Sequence, residues 1–228
     1  MSDSILQVNL IKNKGGSATG ITIDNSNADV TMNRPLTATL SSTSTVPASI
    51  GSSLVLLKTS APSGSGDTGT DLDSFYNSAY DNYLLLGAGV RFTGDSGNVT
   101  FQWLKNDGNI ESGSFYHFSG NGQRSDGNSY NIDVNSNDAG YLVPSMGAVG
   151  REGASFSFTI NNMTNNNLNT TLQGTVQFHH YQNGPTMLTL GNQFDYGLDL
   201  RGIRIYAAGS GNTFQSTTKF SIYGYKNS

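Results

Sequence analysis

ASFSFTI, residues 154–160, decides the fold class. Phe156, Phe158 and Ile160 fall on one side of an extended chain and Ser155, Ser157 and Thr159 on the other, because successive side chains of a strand point to opposite faces. One side is apolar and the other carries hydroxyls, which is the pattern of a half-buried strand. TLQGTVQFHH, residues 171–180, repeats it through Leu172, Val176 and Phe178, with Gly174 read as a thin spot or bulge. Further strands are expected in SLVLLKTS (53–60), YLLLGAGVRF (83–92), VTFQWL (99–104) and YNIDV (130–134). The closing stretch supplies two more, where Ile203, Ile205 and Ala207 alternate with Arg204 and Tyr206, and Phe220 and Ile222 with Ser221 and Tyr223. A helix or a turn into a strand fits LDSFYNSAYDNYLL (72–85) equally.

Many short strands separated by Gly, Asn and Asp turns predict an all-β fold, an antiparallel β-sandwich of jelly-roll type. It is expected over residues 51–228, with an extended β-arm over residues 1–50. The arm carries three short apolar bursts, ILQVNLI, GITI and DVTM, before the connector SSTSTVPASIGSS. These are too few large side chains for a core of their own. Ile5, Leu6, Val8, Leu10, Ile11, Ile21, Ile23, Val30 and Met32 are therefore expected to attach the chain to something else or to bury themselves between copies, as in an intertwined homotrimer. The alternative is a flexible leader that adds a strand or two to the domain's edge.

Only 12% of the 228 residues are Asp, Glu, Lys or Arg, against about 25% in an ordinary soluble domain, so Asn, Ser, Thr and Gly must carry the solubility. The net charge of -4 is mild, and no Lys/Arg cluster marks a nucleic-acid surface. Cysteine is absent, which removes a disulfide framework and thiolate metal sites. No apolar run approaches membrane-spanning length and the start lacks a signal-peptide pattern. The chain reads as a soluble protein made in the cytoplasm, with no membrane insertion.

The search for chemistry is mostly negative. His117, His179 and His180 are the three histidines; the adjacent pair would face opposite sides of a strand and cannot form one local metal site. His180 is expected to face inward among aromatics. Asp67, Asp71, Asp73, Asp95, Asp107 and Glu111 leave glycoside hydrolysis conceivable, but nothing pairs two of them across a cleft, and Asp is a common turn-former. GAGVRF lacks the remaining glycine and helix of a dinucleotide site. No enzyme activity, cofactor or metal is expected. Trp103, Phe115, Tyr116, Phe118, Tyr130 and Tyr141 sit among Asn, Ser and Gly, a mixture able to stack on sugars or to anchor a protein interface. FYHFSGNGQRSDGNSYNIDV (115–134) reads as a variable surface loop ending in a strand. Trp103, Tyr116, His117 and Arg124 are the candidate ligand-facing residues.

ILQVNLIKNKGGSATGITIDNSNADVTM (5–32) resembles the N-terminal segment of bacteriophage virion structural proteins, especially tail-fibre-like ones, with Asn25, Ser26, Asn27 and Ala28 standing where that pattern has a glycine-bearing turn. SFYNSAYDNYLLLGAGVRF (74–92) and RGIRIYAAGSGNTFQSTTKFSIYGYK (201–226) resemble the first and last framework strands of a phage virion β-sandwich. The resemblance implies a noncatalytic trimer in a virion assembled in the host cytoplasm, its arm bound to other virion structural proteins and its domain projecting outward. A tail fibre would present that domain to a host glycan or outer-membrane protein. A capsid decoration protein would use it to reinforce the head lattice.

Overall fold

The structure is a computed structural model that describes residues 54–225, apart from 63–67, 78, 81, 95, 148–151, 164–167, 196, 198 and 210. The expected arm, with Ile5, Leu6, Val8, Leu10, Ile11, Ile21, Ile23, Val30 and Met32, lies outside the described residues, as do Asp67 and Asp95.

The described chain is built of strands: β1 (Leu54–Ser60), β2 (Gly69–Leu72), β3 (Asn82–Val90), β4 (Gly97–Lys105), β5 (Tyr116–Arg124), β6 (Ser129–Asn137), β7 (Gly140–Met146), β8 (Ala154–Asn161), β9 (Thr170–His180), β10 (Gly184–Phe194), β11 (Leu200–Ala208) and β12 (Lys219–Tyr225). The alternation read from the sequence holds. Phe156, Phe158, Ile160, Leu172, Val176, Phe178, Ile203, Ile205, Phe220 and Ile222 all point into one core, while Ser155 and Ser157 face solvent. Residues 73–77, 79 and 80 are irregular and precede β3. The Tyr83 hydroxyl fastens that stretch, accepting from the Asn77 N–H at 3.1 Å and donating to the Asn77 carbonyl at 3.0 Å, while Phe75 packs edge-on against the Tyr83 ring.

The strands do not divide into the two sheets of a sandwich or jelly roll. One antiparallel sheet runs β1-β12-β3-β8-β9-β7-β4-β11-β2, nine strands along a single path, and β10, β5 and β6 branch from β9. Its two ends approach, with the Ser60 hydroxyl of β1 hydrogen-bonded to the Thr70 hydroxyl of β2, so the sheet nearly closes into a barrel. The device is a bulge in β7. Gly97 pairs with Met146 and Val99 with Val143, so Pro144 and Ser145 together oppose Asn98 of β4. Pro144 has no N–H to give, and Ser145 takes a left-handed φ of 48°. The Asn98 side chain accepts the Ser145 N–H at 2.7 Å. Beyond the bulge β7 reaches β9: Met146 pairs with His180, the Gly147 N–H donates to the His179 carbonyl at 2.7 Å and the Tyr181 N–H to the Ser145 carbonyl at 3.2 Å.

Residues 115–134 belong to a hairpin of β5 and β6, with one register shift between Tyr116 and Phe118, and are not the variable loop expected from their composition. The turn that makes it occurs twice in the chain. Lys105-Asn106-Asp107-Gly108-Asn109 and Arg124-Ser125-Asp126-Gly127-Asn128 close alike, the glycine N–H donating to the carbonyl of Lys105 or Arg124 at 2.9 and 3.0 Å, with glycine φ of 84° and 83°. That left-handed position suits glycine. The aspartate carboxylates accept the N–H of Asn109 and Asn128, which holds both carboxyls below their ordinary range.

His180 faces inward as its strand position predicts, 5% exposed, stacked on Tyr181 and edge-on to Tyr130. Its Nδ1 accepts the Gln182 N–H at 3.1 Å, so the ring's proton sits on Nε2 in the neutral form. Burial, followed by the nearby charges of Arg124 and His179, lowers its pKa below 6.5. The unfolded chain then takes up a proton that the native state refuses, so stability is full above pH 6.5 and declines as pH falls below it. Urea midpoints measured across that range should drop on the acid side, and NMR should find the His180 ring still neutral where an exposed histidine is charged. A midpoint and ring signal that follow an ordinary histidine would contradict this.

Candidate ligand-binding face

The four residues singled out as ligand-facing separate in the structure. Trp103 and Tyr116 are each 1% exposed, so neither ring is offered to a ligand; this corrects the sequence expectation. They are core residues because β4 and β5 turn these positions inward, where Phe101 packs edge-on against both. The Tyr116 hydroxyl accepts the backbone N–H of Trp103 at 2.9 Å and donates to the Glu111 carbonyl at 2.9 Å, and burial pushes its pKa far above the usual tyrosine range. Phe118 is buried too, stacked on Tyr141. Arg124 ends β5 on the side opposite His117 and pairs with Asp126 at 3.0 Å. His117 alone of the four lies on the outer face.

The carboxylates are spent on structure. Asp71 and Asp73 of the β2 region pair with Arg204 and Arg201 of β11, fastening an edge strand. The Arg201 hydrogen bond and charge hold the Asp73 carboxyl below its ordinary range. Glu111 accepts the Gly113 N–H at 2.8 Å and lies 3.6 Å from Lys105. Among the described residues no group of three His, Asp or Glu is placed to hold a metal.

What the fold does assemble is a broad polar face on the outside of β8, β9, β10, β5 and β6. Register aligns it in rows. Ser157, Thr175, Thr189, Asn121 and Asn131 form one, Ser155, Gln177, Met187, Gln123 and Ser129 the row beside it, and Thr159, Gln173, Gly191, Ser119 and Asp133 the row on the other flank. Of these fifteen positions, Asp133 alone carries a charge. Five strands at about 4.8 Å spacing make the face about 19 Å wide. Its sequence signal is the other half of the alternation: Gln173, Thr175 and Gln177 interleave with the apolar residues that identified the strand.

The face is hollowed in two places. Over Gly191 a depression of about 500 Å³ is walled by His117, Gln173, Gln193, Asp133 and Asn135. A Cβ at Gly191 would meet nothing within 4 Å, so the missing side chain is open space. His117 Nδ1 accepts the Ser136 N–H at 3.2 Å and also contacts Asn135 Oδ1. At the other end of β10 a groove of about 670 Å³ lies among Arg91, Glu152, Gln177, His179 and Pro185, and adjoins a hollow of about 410 Å³ beside Met187 and Gln123. His179 Nδ1 lies 3.0 Å from Glu152 Oε1, and Arg91 Nε donates to the Glu152 carbonyl at 3.0 Å. His179 and Glu152 lie close without hydrogen-bond alignment.

One side chain ties the strands together beneath this face. Asn192, 5% exposed on β10, accepts the Tyr141 N–H and donates to the Tyr141 carbonyl, both at 3.0 Å, locking β7 over β10. Asn192 also lines the adjacent Gly191 depression. Comparison with known proteins returned no match to the chain among family models, curated proteins or solved structures.

Proposed function

We propose that this domain is a noncatalytic adhesion module of a phage virion whose polar outer face takes up a glycan of the host surface. The observation that carries the reading is the five-strand ladder of Ser, Thr, Asn and Gln with one carboxylate among its fifteen positions. Hydroxyls and amides both donate and accept, as sugar hydroxyls do, so such a surface matches a polyhydroxylated ligand without needing charge. Each net hydrogen bond contributes only about 0.5–1.5 kcal/mol, so useful strength calls for several domains presented together. The resemblance of residues 5–32 to virion arms supplies that arrangement, with residues 1–50 attaching the chain to other virion proteins and joining copies into a homotrimer.

The test is binding of full-length protein to host cells treated beforehand with periodate, which destroys sugar diols, or with protease. Loss of binding after periodate and retention after protease is the expected result. The opposite pattern would assign an outer-membrane protein as the receptor. Absence of cell binding, together with density for this chain spread over the head lattice in micrographs of the virion, would replace adhesion by capsid decoration.

A further inference from the structure

We propose that the ligand on this face is a linear glycan chain lying along β10, gripped at several points between Gly191 and Pro185, and not a single terminal sugar. The proposal rests on the glycan-binding reading above and specifies the form of the ligand. β10 is the middle rail of the face, paired along its whole length with β9 on one side and along most of it with β5 on the other. Its outward residues in turn are Pro185, Met187, Thr189 and Gly191. The six residue steps from Pro185 to Gly191 span about 20 Å at strand rise, far more than one sugar ring covers.

Three features along this rail fit a chain. Gly191 opens one hollow and Pro185 lines the groove at the far end. Between them Met187 is 53% exposed, the one apolar side chain in a row whose other members are Ser155, Gln177, Gln123 and Ser129. A flexible thioether can fit itself to the C–H face of a sugar ring, while the flanking glutamines reach its hydroxyls. The hollow beside Met187 shares Gln177, Phe178 and Pro185 with the groove, so the two adjoin at the far end of the path.

The experiment arrays bacterial envelope polysaccharides beside size-fractionated hydrolysates of the same polymers and measures binding of the full-length protein. Affinity should climb with fragment length and then level off once the rail is covered. Gly191→Phe, which fills open space, and Met187→Glu, on an exposed side chain, should each weaken binding of the longest fragments at least about tenfold, with the thermal unfolding midpoint unchanged. Monosaccharides binding as tightly as long fragments would overturn the proposal and leave glycan binding intact, as would long-fragment affinity indifferent to both substitutions. No binding to any polysaccharide would overturn the glycan reading itself.

Discussion

A chain ending at Thr218 is expected to be insoluble. The truncation removes β12, which lies inside the sheet between β1 and β3. Seven residue pairs join β12 to β3, from Lys219 with Ala88 to Tyr225 with Asn82, and β12 is the strand along which β1 is paired. Phe220 and Ile222 are fully buried, with the Phe220 ring packed edge-on to Phe214 at 5.3 Å and stacked against Phe156 at 6.1 Å. Losing two such side chains costs about 1.5–3 kcal/mol each in burial alone, and more for the cavity they leave. The bared edge of β3 adds unpaired backbone groups and a template for aggregation. Set against a total stability of about 5–15 kcal/mol, this is a loss the domain cannot absorb. The measurement is the soluble fraction after expression, followed by denaturant unfolding of whatever remains in solution. Soluble protein with a single cooperative transition would show that β12 is dispensable.

Gly174→Ala is expected to have the next largest effect, and Gly191→Ala almost none. Both glycines lie in long, regularly paired strands, in adjacent positions on β9 and β10. A Cβ at Gly174 would stand 1.9 Å from the Ser157 carbonyl oxygen and 2.7 Å from the Phe158 Cα, backbone atoms of β8 that cannot swing aside. The β8–β9 register runs unshifted through Phe158 and Gly174, so the position is a close approach of two backbones and not a bulge. Forcing the strands apart should cost about 3 kcal/mol or more. At Gly191 there is nothing within 4 Å and no positive φ, so alanine should stay within about 0.5 kcal/mol of the parent. Thermal midpoints of the two variants test the contrast directly; equal losses would mean that the strands do not approach as described.

The same pair marks how far the chain could be read without the fold. Period-two alternation told which side of β8, β9, β11 and β12 is apolar, because that pattern is local and depends only on the direction of successive side chains. It put Phe156, Phe158, Phe220 and His180 inside and His179 outside, as found. It could not separate Trp103 and Tyr116 from ligand-facing aromatics. In sequence Trp103 lies between Gln102 and Leu104 and Tyr116 between Phe115 and His117, whereas in space Phe101 packs against both rings, Phe194 against Tyr116, and the Tyr116 hydroxyl meets the Trp103 backbone. Of the four ligand-facing candidates, His117 alone reached the face, and the Ser, Thr and Gln rows around it went unread because a polar half of a strand looks like ordinary surface.

By itself, then, the sequence determined the all-β character of the described chain, the positions of most of its strands and the inward side of β8, β9, β11 and β12. Only the tertiary structure decided that these strands join one nearly closed sheet, that residues 115–134 are a hairpin and that fifteen outward positions line up in three rows. The physical reason is range. Side-chain alternation is set within a few residues, whereas closure depends on a left-handed Ser145 beside Pro144 steering β7 onto His180 of β9, and rows depend on register between strands up to about seventy residues apart in the chain.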